Sequence, residues 1–180
     1  AYGLNHIDLR FPVDELPDMS RVEATLKENP DIRLVYTTHN ETGTGICNPI
    51  REIGALAHRY GATFVVDTTS TLAMRPIDVA RDNIDFCMAS AQKGIMAMTG
   101  LSFVIGRTDL IVASKDYPKR SYYCNLYLQY EYFEKTGQMH FTPPVQTVYA
   151  AVQGLKEYFA EGETAKWERH KRVFEAIHAG

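Results

Sequence analysis

The chain has 180 residues, of which 45% are hydrophobic and 23% are charged, a composition typical of one globular domain. The net charge of −3 provides no basic surface for nucleic acid. No stretch of the sequence approaches the about 18 consecutive apolar residues that suggest a membrane span. These values exclude disordered and fibrous classes and predict no nucleic-acid or membrane partner.

The cysteines and the first residues predict the compartment. Cys47, Cys87 and Cys124 are far apart and odd in number, which is typical of free thiols in a reducing environment. The first residues lack the basic region and apolar run of a secretory signal. We therefore predict a cytoplasmic protein. The histidines and cysteines have no metal-ligand spacing, so no metal site is predicted.

Short apolar runs alternate with helical patterns along the first part of the chain. The patterns predict strands at residues 5–10, 32–37, 62–66, 84–89 and 101–105. They predict helices at residues 17–27 and 49–60, with Asn48 as N-cap, Pro49 at the first helical position and Gly61 as the stop. A short helical turn is predicted at residues 77–80, and further helices at residues 122–135, 147–159 and 163–178.

Alternation of strands and helices at this spacing predicts an α/β domain with a mostly parallel sheet and flanking helices, followed by helices alone. The aromatic residues between 117 and 133 have helical spacing, which indicates core or a subunit interface. The charges between residues 161 and 172 predict a solvated helix face.

Polar residues follow three of the predicted strands, where parallel α/β sheets bind ligands. Asp67 follows the strand at residues 62–66, and Lys93 follows the strand at residues 84–89. One connection separates these two strands, so both side chains can face one crevice. Each has an ordinary alternative, since strand-end aspartates often cap turns and loop lysines are usually solvated. His39 is interpreted as a structural group rather than a catalytic base.

The pairing of a lysine with an aspartate indicates a particular chemistry. A lysine in a partly desolvated crevice has a lowered pKa and can act as a nucleophilic amine. An aspartate beside a pyridine nitrogen keeps that ring protonated. Together they are the pattern of a pyridoxal phosphate enzyme. The serines and threonines that follow Asp67 supply hydroxyls for a phenolate and a phosphate.

Three longer segments carry a family resemblance. HNETGTGICNPIREIGALAHRYGATFVVDTTST, SAQKGIMAMTG and HFTPPVQTVYA follow one another along the chain. In order and spacing they resemble the class V group of fold-type I aminotransferases. Among these, the branch that moves the amino group of 2-aminoethylphosphonate to pyruvate is the most similar.

The resemblance implies a role for five residues. Lys93 would form the Schiff base with pyridoxal 5'-phosphate and move the proton between substrate and cofactor. Asp67 would pair with the pyridine nitrogen, and Thr42 would lie near the phenolic oxygen. Gln92 would contact the cofactor phosphate, and Thr142 would reach the phosphate in the neighbouring subunit. The last role implies a homodimer.

The motifs leave the substrate pair open between two branches. Gln92 before the lysine is more similar to alanine–glyoxylate and serine–pyruvate aminotransferases, whereas residues 125–127 and the HFTPP segment resemble the phosphonate branch. Cysteine desulfurases of the same fold have histidine directly before the lysine. This sequence has Gln92 there, which disfavours that branch. The first expectation is therefore a small-molecule amino donor, 2-aminoethylphosphonate, with pyruvate as the 2-oxo acid acceptor.

Members of the class V family that this sequence resembles are longer than this chain. Residues 1–180 are therefore expected to be part of a single major domain, with its N-terminal part and a C-terminal small domain outside the sequence. On that expectation these residues alone would be inactive. A different class stays open as well, namely a non-catalytic α/β fragment that serves as an assembly module.

Overall fold

The computed structural model describes residues 3–179, in which helices and strands alternate as far as the second strand, and the third and fourth strands then follow with no helix before either. The elements are α1 (Met19–Glu28), β1 (Leu34–Thr38), α2 (Ile50–Arg59), β2 (Thr63–Asp67), β3 (Phe86–Ser90), β4 (Ser102–Gly106), α3 (Thr108–Ala113), α4 (Leu126–Thr136), α5 (Val145–Glu161) and α6 (Glu163–Ala179), with a 3₁₀ turn at Ser114–Asp116 after α3.

The four strands form one sheet in the order β1-β2-β3-β4. The first three strands are parallel, and β4 runs antiparallel to β3 at the edge. The predicted α/β class with a mostly parallel sheet and helices after it is confirmed. The antiparallel β4 follows β3 through a loop that needs no crossover helix.

The main core lies between one face of the sheet and α2. Phe64 and Val66 on β2 and Cys87 on β3 are buried against Ile53 and Ala57 of α2. Alternate strand residues point to one face, and helix positions three and four apart share one side. A smaller cluster joins α1 to α2 through Val22, Leu26 and Leu56.

The opposite face of the sheet is only half covered by the described residues. Val65, Phe86 and Met88 lie on it and are partly buried, while Leu34 and Tyr36 are 54% and 55% exposed. The packed core is therefore one-sided, and the polar ends of the strands lie beside a more open surface.

Three local predictions differ from the structure. Residues 5–10 form no strand, because no neighbouring strand pairs with them. Residues 77–80 are not helical, because Asp78 accepts the N–H groups of Ala80 and Arg81 and closes a turn instead. Pro49 is the N-cap of α2, since the Asn48 side chain donates instead to Thr38 O at 2.8 Å.

A buried carboxylate ties four elements together at the end of the sheet opposite the strand-end polar residues. Asp85, 4% exposed, accepts hydrogen bonds from Phe64 N at 2.8 Å, His58 Nε2 at 2.8 Å and Arg107 Nη1 at 3.1 Å. Burial alone raises the pKa of Asp85, but these hydrogen bonds outweigh it and hold the pKa below its usual range. Asp85 therefore stabilises the junction as a carboxylate.

We predict that Asp85→Ala lowers the free energy of unfolding at pH 7 by about 1–3 kcal/mol, because it leaves the buried Phe64 N–H without its acceptor. The matched control is Asp109→Ala, since Asp109 pairs with the same Arg107 at 2.6 Å but is 63% exposed. Since the folded pKa of Asp85 is lowered, its contribution is present above the unfolded pKa and is lost as pH falls through the folded pKa. Urea titrations at several pH values measure both effects; equal losses in the two variants would contradict the prediction.

Residues 3–179 lack the features of two other classes of protein. No helix in this range is long and apolar enough to cross a membrane. No group of three or more histidine, cysteine, aspartate or glutamate side chains in the same range could hold a metal ion.

Candidate active site

The three parallel strands end at the same edge of the sheet and bring polar residues together there. Asp67, the last residue of β2, is paired with Thr38 of β1 and with Met88 of β3. Residues paired across parallel strands point to the same face, so Asp67 lies on the more open face of the sheet. Ser90 is two residues after Met88 and lies on that face too.

Residues 67–75, called here the Asp67 turn, hold the aspartate in a fixed orientation. Asp67 Oδ1 accepts the backbone N–H of Thr69 at 2.8 Å. Thr68 is fully buried, and its carbonyl accepts the N–H groups of Thr71 and Leu72. No hydrogen bond among the described residues uses Asp67 Oδ2, so this oxygen can receive a donor from outside.

The loop at residues 39–48, called here the β1 loop, is fastened to the Asp67 turn through His39. His39 N donates to Asp67 O at 2.8 Å, and Nδ1 lies 2.9 Å from Thr71 Oγ1. Burial, with a smaller effect of Arg75, lowers the pKa of His39 to about 4. His39 is therefore neutral at pH 7, and its contacts are those of a structural group.

Thr42 lies in the exposed middle of the β1 loop. The loop is closed by hydrogen bonds from Glu41 N to Ile46 O and from Gly45 N to Glu41 O. Ser70 Oγ donates to Asn40 O at 3.3 Å and so connects this loop to the Asp67 turn a second time. The structure thus brings the segments of Thr42 and Asp67 together.

Residues 91–100, called here the Lys93 loop, follow β3. Ala97 N donates to Ala91 O and Met96 N to Lys93 O, both at 2.9 Å, so the backbone of the loop is closed on itself. The side chains of Gln92 and Lys93 are exposed. The desolvated crevice expected around Lys93 is therefore not supplied by residues 3–179.

Gly94 brings the Lys93 loop against the Asp67 turn. A Cβ added to Gly94 would lie 2.0 Å from Leu72 O and 2.8 Å from Met74 Cγ. Only a residue without a side chain allows the two backbones to approach this closely. The structure therefore places the predicted lysine and aspartate on two segments in direct contact.

We predict that Gly94→Ala in the full-length protein reduces activity by about 100-fold or more, because the added Cβ must displace the backbone next to Lys93. Gly43→Ala is the control, since a Cβ at Gly43 would meet nothing within 4 Å. Steady-state rates and thermal midpoints of both variants measure the effect. A Gly94→Ala variant as active as the Gly43→Ala variant would show that the close contact is not needed.

Ser90 provides a test of whether the edge fits a bound polar group. Its side chain is buried, with 9% of the residue exposed, and Oγ has no hydrogen-bond partner among the described residues. Buried hydroxyls in folded proteins are normally hydrogen-bonded. An unsatisfied Ser90 Oγ and an unused Asp67 Oδ2 on one face fit a ligand with polar atoms at its rim, such as pyridoxal phosphate.

Thr142 is the predicted site residue that the structure does not join to the others. It is exposed in the segment between α4 and α5. Its neighbour Phe141 packs against Tyr122 and Tyr123, with ring centroids 5.6 and 4.7 Å apart. Thr142 therefore belongs to an aromatic surface rather than to the edge that carries Asp67.

Sequence reasoning missed a lysine next to the Lys93 loop. Lys166 on α6 is only 3% exposed, and its Nζ donates to Gly94 O at 2.6 Å. This burial corrects the prediction that the charges between residues 161 and 172 all lie on a solvated face. Ser90 was missed as well, although it stands in the SAQK motif.

The sheet, the two contacting segments and the lysine after the third parallel strand are features of an α/β enzyme with a site at the strand ends. The sequence model of the class-V aminotransferases, "Aminotransferase class-V", matches residues 5–179. The chain belongs to this family.

Curated relatives share over two fifths of the matched sequence. The 2-aminoethylphosphonate–pyruvate transaminase of Salmonella heidelberg (strain SL476) is 42% identical over 157 residues, which cover 87% of this chain and 42% of the relative. The enzyme of the same name from Salmonella dublin is 41% identical over the same shares of the two chains. The chain thus spans less than half the length of these relatives.

Solved structures have the same fold. Pyridoxamine–pyruvate aminotransferase from Mesorhizobium loti matches with a TM-score of 0.81 and 27% identity, over 90% of this chain and 42% of that one. Alanine–glyoxylate aminotransferase from Nostoc sp. matches with a TM-score of 0.84 and 24% identity, over 93% and 45% of the two chains. The predicted large-domain fold of fold-type I aminotransferases is confirmed.

Proposed function

We propose that the protein containing this chain is a pyridoxal phosphate-dependent transaminase that moves the amino group of 2-aminoethylphosphonate to pyruvate, which yields phosphonoacetaldehyde and alanine. The observation that carries the proposal is the contact between the Lys93 loop and the Asp67 turn in a chain of the class-V aminotransferase family. The 42% identity to a transaminase of that name supports the choice of substrates.

The fit of pyridoxal phosphate rests on the donor set at the strand edge. Lys93 offers an exposed primary amine, Asp67 a carboxylate fixed by Thr69 N–H, and Ser90 an unsatisfied buried hydroxyl. Gln92 and Thr42 would contact the phosphate and the phenolic oxygen. When bound, the cofactor supplies a ring that withdraws electrons from the substrate carbon.

The work of the chain's own residues follows from their chemistry. Lys93 Nζ is the group that would hold the cofactor through its aldehyde, and as a free amine it would carry the proton that moves at the substrate carbon. Asp67 would hold a proton on the ring nitrogen by charge attraction. The neutral His39 takes no proton, and it holds the Asp67 turn against the β1 loop.

The remaining parts of the site would come from outside these residues. We place residues 1–180 within one major domain, with the rest of that domain and a small C-terminal domain elsewhere in a longer protein. The exposure of Lys93 supports this placement, because a reactive lysine needs a desolvated site. By the same argument, residues 1–180 expressed alone would bind pyridoxal phosphate poorly and would not transaminate.

A homodimer would bring Thr142 to the cofactor phosphate of the partner subunit. Tyr122 and Tyr123, 69% and 65% exposed, lie beside Phe141 on the aromatic surface that carries Thr142. Exposed aromatic residues are enriched at subunit interfaces. Light scattering of the full-length protein tests the dimer, and a strictly monomeric active protein would contradict it.

The three free cysteines support a cytoplasmic location.

Gln92 favours a second candidate function, the alanine–glyoxylate or serine–pyruvate reaction. A direct experiment compares the two with one purified full-length protein. The value of kcat/KM for alanine formation from 2-aminoethylphosphonate and pyruvate is expected to exceed the values for alanine with glyoxylate and for serine with pyruvate by about 100-fold, the scale of discrimination that a few pocket contacts provide. A reversed preference would transfer the assignment to the second candidate, and no transamination with any pair would favour a non-catalytic module.

A further inference from the structure

The Lys93 loop is also held by two helices that come much later in the chain. Lys166 on α6 donates from Nζ to Gly94 O at 2.6 Å, and Gly94 directly follows Lys93. On α5, a Cβ added to Gly154 would lie 2.5 Å from Ile95 O, so that helix touches the next residue of the loop. Two consecutive loop residues are thus fixed from outside the sheet.

The surroundings of Lys166 do not explain why a lysine stands there. Its amino group lies 5.3 Å from the centre of the Tyr158 ring, and within residues 3–179 no carboxylate forms an ion pair with it. Burial lowers the pKa of Lys166, although the charge of Glu161 acts in the opposite direction. A methionine of similar length would fill the same space without burying an amine. What lysine adds is the hydrogen bond to Gly94 O and the contact of its cation with the Tyr158 ring, and only the first reaches the Lys93 loop.

The next residue of α6 contacts the other half of the site. The Trp167 ring lies under the guanidinium of Arg75, which is 4.6 Å from the ring centre. Arg75 is the last residue of the Asp67 turn. Consecutive residues of α6 therefore contact both segments, Lys166 the Lys93 loop and Trp167 the Asp67 turn.

We propose that Lys166 is a positioning residue that sets the backbone of the Lys93 loop relative to the Asp67 turn. This inference rests on the proposed function, since the position of Lys93 matters only if its amine reacts. Lys166 is closed to solvent, and one of its three N–H donors is used on Gly94 O, so it acts through the backbone of the Lys93 loop rather than on the substrate. Small displacements of a catalytic group lower the rate while leaving substrate binding largely intact.

The test compares Lys166→Met with Lys171→Met in the full-length protein with pyridoxal phosphate bound. Lys171 lies on the same helix, its side chain is 49% exposed, and it is 3.9 Å from Glu175. Hydrogen exchange of the Met96 and Ala97 amides, which close the Lys93 loop, measures its order with or without cofactor. The kinetic constants kcat and KM for the amino donor measure its effect on the reaction.

For Lys166→Met we expect a loss of about 10–100-fold in kcat, less than about a threefold change in KM, and faster exchange at both amides. Lys171→Met is expected to match the unsubstituted protein in all three. Lys166→Arg keeps a charged donor and is expected to recover part of the lost kcat. If Lys166→Met does not fold, Lys166→Arg is compared with the unsubstituted protein: a partial loss of kcat with faster exchange at both amides would support the proposal, and unchanged values would overturn it.

Unchanged exchange at Met96 and Ala97 in folded Lys166→Met would overturn the proposal, and so would faster exchange with an unchanged kcat. An unsubstituted protein that binds no cofactor through a lysine would instead refute the proposed function. In that case the positioning role in catalysis falls with it, while the exchange data still decide whether Lys166 holds the loop.

Discussion

Lys93→Ala is expected to lower the transamination rate of the full-length protein by about 10⁴-fold or more, because the covalent bond and the proton carrier are lost together. The exposed side chain of Lys93 has few contacts within the described chain to lose, so the fold should be unaffected. The measurement combines the steady-state rate with the thermal midpoint and the amount of bound cofactor.

The matched control is Lys156→Ala, because Lys156 is also exposed but lies on α5 rather than in the Lys93 loop. It should retain the rate of the unsubstituted protein. A Lys93→Ala variant that binds cofactor and turns over at a near-normal rate would contradict the assignment of the reactive amine.

Asp67→Asn is expected to lower the rate of the half-reaction with the amino donor by about 10²–10³-fold, the scale of losing one aligned electrostatic group. Asparagine keeps the shape and can still accept the Thr69 N–H through its carbonyl oxygen, so the Asp67 turn should hold. What is lost is the negative charge that keeps the ring nitrogen protonated. Single-turnover absorbance measurements isolate this step from product release.

Asp31→Asn is the control, since Asp31 is exposed in the connection before β1 and the change removes the same charge from the protein. An Asp67→Asn half-reaction as fast as that of Asp31→Asn would show that the ring nitrogen does not depend on this carboxylate. Asp67→Glu tests position instead, because the charge is kept while the carboxylate moves.

Local patterns predicted the paired strands and most helices, because burial of one face spaces the apolar residues regularly along each element. The run ATFVV predicted a strand covered on both faces; Phe64 and Val66, on the face toward α2, are fully buried, whereas Val65 on the other face is only partly buried. Residues 5–10 alternate between polar and apolar side chains and also predicted a strand. In the structure Ile7 is 53% exposed and no strand pairs with these residues. The alternation of a single segment does not reveal whether a partner strand exists.

The candidate site was predictable as far as it depends on strand ends. The rule for parallel sheets identified Asp67 and Lys93, and the structure places their segments in contact through Gly94. Lys166 was not predictable, because its burial arises from the packing of α6 on a loop 72 residues earlier in the chain. A charged residue in a charged helix has no local signal that distinguishes it from its solvated neighbours.

Lys166 is the alternative candidate to Lys93 for the amine that binds the cofactor, because burial lowers its pKa and catalytic lysines commonly have this property. Borohydride reduction of the full-length protein with pyridoxal phosphate, followed by mass spectrometry of its peptides, decides between them. We expect a single pyridoxyl adduct on Lys93 and a loss of the absorbance at about 420 nm that marks a lysine-bound cofactor. An adduct on Lys166, or no adduct on any lysine of the chain, would contradict it.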